Sequence, residues 1–300
     1  MLETKGLLED GPGLSTAAGT DFGVFGYRPS GEPIFTTYTD MQNVARVYRA
    51  TDDAAFSYTD LALWHPGAHD FYAFYPYDKS IVTEAGIDNS QKPYIKYTQP
   101  QTLDGMYDLM TAKAEDVESS TSSTVNLTFD HRLFALDVLI KNSQTSSMMP
   151  LTVTNASVTF ANVKSSATLF FDGSPNNETG TISTLTHTYL TETDASHFIA
   201  APSDANTPVT SNLNDGNSFL FLPVAQLQFA VNITVINAWG ETVSFRIPEG
   251  SGYETLAPSG GFAAGTKYQL TVNKTDLGVD FNLNISSSWI SSDRIDIEFN

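Results

Sequence analysis

The chain of 300 residues contains no cysteine, which excludes disulfide bonds, cysteine nucleophiles and cysteine-ligated zinc or iron–sulfur sites. Charged residues make up only 16% of the chain, and 15 Lys and Arg stand against 34 Asp and Glu, for a formal charge of −19. Basic residues are too few to form the positive surface that nucleic-acid binding requires, so nucleic acid is not expected as a partner. A continuous apolar run of about 18 residues is also missing, which excludes a membrane-spanning helix.

Apolar residues, by contrast, are plentiful. They make up 41% of the chain and aromatic residues 12%, enough for a sizeable core and too much for wholesale disorder. Residues 1–20 differ, because glycine and proline interrupt any period there, and we expect a flexible N-terminal arm. This arm has neither a cationic nor an apolar signal-peptide region, so the protein is either cytosolic or begins after a removed leader.

Period-two alternation of apolar and polar residues dominates the rest of the chain and predicts half-buried β-strands. Turn residues separate these runs at intervals typical of β-sandwiches. A polar stretch over 141–150, which ends in Pro150, marks the expected boundary between two all-β domains, 21–142 and 150–300. The alternating runs of the second domain are Val231/Ile233/Val235, Val243/Phe245/Ile247, Tyr268/Leu270/Val272, Phe281/Leu283/Ile285 and Ile295/Ile297/Phe299.

The alternation changes phase once, near His131 and Arg132. Before this point the apolar residues are Val125, Leu127 and Phe129, and after it they occupy even-numbered positions from Phe134 onward. A phase change within one strand is typical of a β-bulge, which we therefore predict here.

Histidine and acidic residues give no convincing catalytic or metal-binding pattern. His65 and His69 have the spacing of two ligands on a helix, but Pro66 and Gly67 lie between them and disfavour a helix. His131 follows Asp130 directly, and adjacent strand residues point to opposite faces, which argues against a Ser–His–Asp triad.

The motifs of other chemistries are missing as well. The chain has no G-x-S-x-G elbow, no phosphate-binding glycine motif and no complete calcium loop around its acidic residues at 104–118. We therefore predict no catalytic residue, no metal and no cofactor, and a protein that is not an enzyme.

The densest aromatic segment is LWHPGAHDFYAFYPYD, residues 63–78. Such aromatics could stack on sugar rings. The alternative is structural, because Phe71 and Tyr75 would share one face of a strand, and Tyr72 and Phe74 the other, as in a strand buried on both sides. We favour the structural interpretation.

This segment resembles the "W-P … Y-x-F-x-A-Y-Y-P" motif of the Bacteroidales fimbrillins, the Mfa-like and FimA-like proteins. Further similarities cover about residues 21–289 and follow the order of the family motifs. They lie in DFGVFGYR (21–28), MYDLMTAKA (106–114), VNLTFDHRLFALDVLI (125–140), FLFLPV (219–224), GTKYQLTVNKTD (265–276) and ISSSW (285–289).

The resemblance implies two transthyretin-like Greek-key β-sandwich domains in tandem. It implies an exported lipoprotein precursor that reaches the outer-membrane surface, where the lipid anchor of the precursor is the only membrane contact. It also implies a structural subunit of a fimbria, in stalk, anchor or tip, whose partners are other fimbrial subunits. In the family, an Arg- or Lys-specific protease removes the first strand and a neighbour's strand refills the groove. Arg28, Arg46 and Arg49 are the candidate processing sites here.

Two segments are candidates for strand exchange. The first carries Phe22, Val24 and Tyr27, and the second is the C-terminal run of Ile295, Ile297 and Phe299. Free sheet edges could accept such strands and generate open-ended filaments. For the C-terminal run, pairing within its own domain is the favoured alternative.

A second functional hypothesis is a carbohydrate-binding or adhesive module at a fimbrial tip, with a glycan or protein of a host or microbial surface as its partner. The aromatic residues next to polar loops are the candidate contacts for such a ligand. They are Tyr189, Trp239 and Tyr253.

Overall fold

A computed structural model shows an all-β protein. It describes residues 21–36, 41–48, 56–58, 65–118, 124–144, 150–174, 176–191, 193, 195–202, 209–212, 218–276, 278–288 and 293–298. Over these residues the only helical elements are two 3₁₀ turns, Leu103–Gly105 and Ala195–His197. The predicted N-terminal arm, residues 1–20, lies outside the described residues.

The strands form three sheets. The first has the order β18-β7-β6-β3-β1-β2, with β1 (Asp21–Tyr27), β2 (Ala45–Tyr48), β3 (Ala68–Tyr75), β6 (Met110–Glu118), β7 (Thr124–His131) and β18 (Asp293–Glu298). The second has the order β14-β13-β9-β5-β4, with β10 on β9 and β15 on β13; its strands are β4 (Val82–Ile87), β5 (Pro93–Thr98), β9 (Thr152–Phe170), β10 (Asn177–Leu190), β13 (Leu227–Ile236), β14 (Thr242–Ile247) and β15 (Glu254–Leu256). The third has the order β11-β8-β16-β17, with β12 on β8; its strands are β8 (Phe134–Asn142), β11 (Val209–Asn212), β12 (Phe219–Phe221), β16 (Thr266–Lys274) and β17 (Val279–Ser288).

Two hydrophobic cores lie on opposite faces of the first sheet. One face joins the main core, which also receives side chains from the second and third sheets. The other face forms a smaller core, which we call the N-terminal core, with side chains from β1, β2, β3, β6 and β7 and from the segments after β1 and β2. Strand β3 confirms the predicted two-sided burial, because Phe71 and Tyr75 belong to the N-terminal core, and Tyr72 and Phe74 to the main core.

The phase change near His131 has a different cause from the predicted bulge. Strand β7 ends at His131 in the first sheet, and β8 begins at Phe134 in the third. Phe129 accordingly packs in the N-terminal core, whereas Leu133 and Phe134 pack in the main core. The chain thus passes from one sheet and one core to another, so the apolar phase must shift by one residue.

Hydrogen bonding joins strands from both sides of residues 142–150. Strand β5 pairs with the far end of β9, and β8 pairs in parallel with β16. The division into domains 21–142 and 150–300 remains a prediction.

Candidate strand-exchange site

The first strand of the described residues, β1, lies inside a sheet. Strand β1 pairs antiparallel with β2 through Asp21↔Tyr48 to Val24↔Ala45, and with β3 through Gly23↔Phe74 to Tyr27↔Asp70. All five residues from Phe22 to Gly26 are buried. Removing β1 would leave a slot between β2 and β3 with unpaired backbone groups along both walls.

Side chains of β1 fill both cores. Phe22 and Val24 enter the N-terminal core, where the Phe22 ring lies 5.4 Å from that of Phe129. Phe25 enters the main core and lies 5.4 Å from the Tyr72 ring. Tyr27 packs against the main core. The slot would therefore be apolar on both faces.

Two glycines let β1 approach its neighbours closely. A Cβ at Gly23 would overlap the ring of Phe74, which lies against the strand at this position. A Cβ at Gly26 would lie 2.6 Å from the backbone carbonyl oxygen of Asp70. The first overlap is with a side chain that can rotate, while the second is with a backbone atom of the paired strand.

Polar contacts hold the two ends of β1. At its start, Arg46 Nε donates to Asp21 Oδ2 at 2.6 Å, and the guanidinium also pairs with this carboxylate. Burial raises the pKa of the Asp21 carboxyl, and Arg46 acts in the opposite direction. At its end, the turn after β1 is closed by Gly31 N donating to the Arg28 carbonyl and Arg28 N donating to the Glu32 carbonyl, both at 2.8 Å.

The predicted processing residues occupy different environments. Arg28 directly follows β1 in this hydrogen-bonded turn and precedes Pro29. Arg46 lies in β2 opposite Gly23, with 54% of its side chain exposed. Arg49 follows β2 and lies outside the described residues.

The C-terminal strand pairs in a place that the sequence did not indicate. Strand β18 runs antiparallel to β7, from Asp293↔Phe129 to Glu298↔Thr124, with Ile295 opposite Leu127 and Ile297 opposite Val125. The expectation that it pairs within residues 150–300 is therefore wrong, because β7 belongs to the first sheet. Alternation predicts that a segment is a strand but carries no information about its partner. Phe299 lies outside the described residues.

The three aromatic residues predicted to contact a ligand lie in different environments. Tyr189 is partly buried against the main core, and its ring lies 4.6 Å from that of His187. Trp239 is 71% exposed at the turn between β13 and β14, and Tyr253 is 38% exposed just before β15. Asn237 holds the Trp239 turn, since its Oδ1 accepts from the backbone N–H of Trp239 at 3.0 Å and of Glu241 at 2.9 Å.

Within the described residues, no group of three or more metal-ligating side chains occurs. His69 is buried in β3, and its Nδ1 lies 3.0 Å from the Gly67 carbonyl oxygen. His131 contacts Asp108 rather than Asp130, with 2.7 Å between Nδ1 and Oδ2, and both side chains are buried. Sequence reasoning missed this pair because Asp108 lies on another segment, before β6.

The site is therefore structural. Strand β1 pairs on both edges inside a sheet of an all-β protein, a hydrogen-bonded turn follows it, and the exposed Arg46 lies on the neighbouring strand β2. In the described part, no helix has the length and apolarity needed to cross a membrane. A model of the fimbrillin-like family matches residues 11–289. The chain belongs to the fimbrillin-like family.

Solved structures of similar fold include two from Bacteroides species. A fimbrial protein of Bacteroides vulgatus aligns with a TM-score of 0.62 and 18% identity, over 92% of this chain and 95% of the other. A candidate cell adhesion protein of Bacteroides uniformis aligns with a TM-score of 0.50 and 20% identity, over 93% and 95% of the two chains. At these identities the similarity shows the fold alone. No curated protein matches the chain.

Proposed function

We propose that this protein is a structural subunit of a bacterial surface fimbria and that it assembles by strand donation at the position of β1. The family supports a fimbrial subunit at the cell surface that assembles with other subunits. The observation that carries the mechanism is the burial of β1 on both faces and its pairing on both edges. Loss of this strand would create an acceptor that only another extended segment can refill.

Processing would release β1 by cutting the connection behind it. Arg28 is the least suitable site, because its carboxyl group is joined to Pro29 and its turn is hydrogen-bonded. Arg46 is more accessible, on a strand of four residues at the edge of the sheet. Arg49, the third candidate, is followed by Ala50, so its peptide bond lacks the proline that follows Arg28. We assign the cut to Arg46 or Arg49, which would release part or all of β2 together with β1 and leave the edge of β3 as the acceptor.

Strand β18 supports a second exchange. It pairs only with β7 among the described strands, at one edge of the first sheet, so a neighbour's copy of the same segment could replace it without new contacts. The proposed setting is that of the family: an exported lipoprotein precursor, an outer-membrane anchor and a fimbrium built from further subunits.

An Arg-specific protease tests the processing step. The wild type and the variants Arg28→Gln, Arg46→Gln and Arg49→Gln are digested under native conditions, and the new N-terminus is sequenced. We expect one dominant cut, lost in the Arg46 or Arg49 variant and retained in the Arg28 variant. Digested protein is then sized alone and with other fimbrial subunits. A processed chain that joins no subunit would contradict strand donation.

A second candidate function is adhesion at the fimbrial tip, and the exposed indole of Trp239 on its restrained turn is the observation that favours it. An exposed aromatic ring on a rigid turn suits stacking on a sugar. Glycan-array binding by the wild type, lost in Trp239→Ala and retained in Val243→Ala, would support adhesion. Absence of binding to any glycan would remove this candidate for carbohydrate ligands.

A further inference from the structure

The slot of β1 places strict chemical demands on any strand that enters it. The five residues Phe22–Gly26 are buried on both faces, so none of their positions offers solvent to a charged side chain. An antiparallel sheet that buries only one face needs only one apolar face on a strand inserted into it. This slot differs because the first sheet separates two cores.

The chain's own C-terminal segment fails this demand in every register. Residues 293–300 read DRIDIEFN, and each stretch of five consecutive residues in them contains at least two charged side chains. Either direction of insertion would bury a carboxylate between apolar walls that include Phe71, Ala73 and Phe74. Arg46 pairs with Asp21, outside the buried stretch Phe22–Gly26, and belongs to the released fragment after either assigned cut, so it does not neutralise a charge in the middle.

A second demand is steric. The position of Gly26 faces the backbone oxygen of Asp70, and the position of Gly23 faces the Phe74 ring. Among the 20 glycines of the chain, Gly23 and Gly26 are the only two that lie three positions apart in the sequence. A side chain at the Gly26 position would separate the incoming strand from β3, whereas one at the Gly23 position would require the Phe74 ring to turn away.

We infer that the β1 slot is a selective acceptor: it takes an uncharged strand with glycine, or a comparably small residue, at two positions three apart, and it rejects β18 of a second copy. This inference rests on the proposed strand donation. It follows that the chain does not polymerise with itself through β18 in this slot. The occupant after processing is a donor strand of that composition from a different fimbrial subunit.

Peptide exchange on the nicked full-length chain tests the selectivity. The chain is cut by the Arg-specific protease, incubated with excess fluorescent peptide and separated by gel filtration, and the label in the protein peak is measured. The β1 peptide spans residues 19–29, and its variants are Gly26→Ala and, as a matched control before the strand, Gly19→Ala. The β18 peptide spans residues 290–300, and its neutral variant carries Asp296→Asn with Glu298→Gln.

We expect the β1 peptide and its Gly19→Ala control to be incorporated equally. The Gly26→Ala peptide should be incorporated about tenfold less, from the cost of overpacking. The β18 peptide should be incorporated about a hundredfold less, and its neutral variant should recover part of this loss. Incorporation of the β18 peptide at the level of β1 would overturn the selectivity and leave strand donation standing. Refusal of every peptide, β1 included, would overturn both.

Discussion

At the scale of single residues, the backbones of β1 and β3 approach each other so closely that one position between them accepts only glycine without a shift. Gly26 has no room for a side chain, because the Asp70 carbonyl oxygen is 2.6 Å from the position of a Cβ. Gly278 offers a contrast, since a Cβ there would meet no atom within 4 Å. Comparing the same substitution at Gly26 and Gly278 distinguishes the loss of stability caused by the close contact from the effect of replacing any glycine.

We expect Gly26→Ala to lower the free energy of unfolding by about 1–3 kcal/mol, because β1 must shift away from β3. Gly278→Ala should change it by less than about 0.5 kcal/mol. Urea unfolding followed by circular dichroism gives both values. Equal stability of the two variants would mean that β1 is not held closely against β3.

A surface carboxylate gives a pH-dependent prediction. The backbone N–H of Ser174 donates to Asp172 at 2.9 Å and its hydroxyl at 2.8 Å, and Lys92 Nζ lies 3.1 Å away. These contacts, those of Ser174 first, lower the pKa of Asp172 to about 2. Since the folded-state pKa is lowered, the stabilisation is present above the ordinary pKa of 3.8 and is lost as the pH falls through about 2.

Carboxyl resonances followed by NMR should therefore show Asp172 titrating near pH 2, and Ser174→Ala should move its midpoint up toward 3.8. Lys92→Gln, which removes only the smaller contribution, should move it less. A midpoint near 4 in the wild type would show that the Ser174 contacts are absent in solution.

At the scale of elements, the sequence predicted strands better than partners. The local sequence predicted β3, within the aromatic segment 63–78, and even its two-sided burial, because the face of a residue follows from local geometry. It could not show that β7 and β8 belong to different sheets or that β18 pairs with β7, since pairing joins segments far apart in sequence. For the same reason, the sequence could indicate that residues 22–27 are extended, but it could not show the close contacts of Gly23 and Gly26 with β3.

The pairing of β18 with β7 leads to a prediction for the element. Deleting residues 293–300 would leave the backbone edge of β7 unpaired next to the buried Val125, Leu127 and Phe129. We expect the truncated chain to unfold at a lower temperature and to self-associate through the open edge. Light scattering after gel filtration measures the association.

Deletion of residues 299–300 alone is the control, because it leaves all six paired residues of β18 in place. This shorter deletion should behave as the wild type. A monomeric long truncation with unchanged melting temperature would show that β18 is not docked on β7 in solution.

At the scale of the whole molecule, hydrogen bonds connect segments that are far apart in the sequence and belong to or flank different sheets. Gln99 Nε2 donates to the Leu220 carbonyl at 2.9 Å, and an Arg132 guanidinium nitrogen donates to the Phe170 carbonyl at 3.1 Å. The Asp108–His131 pair lies beside Arg132, whose backbone N–H donates to the Leu109 carbonyl at 2.8 Å. The main core extends through all three sheets around these contacts.

Because one core and these contacts connect the sheets, we expect the protein to unfold in a single cooperative transition. Asp108→Ala would remove the carboxylate that contacts the buried His131 and should cost about 1–3 kcal/mol while the single transition is retained. Asp104→Ala, at an exposed position four residues earlier, is the matched control and should be nearly neutral. Calorimetry measures both. Two separated transitions in the wild type would show that parts of the chain unfold independently, despite the core that the three sheets share.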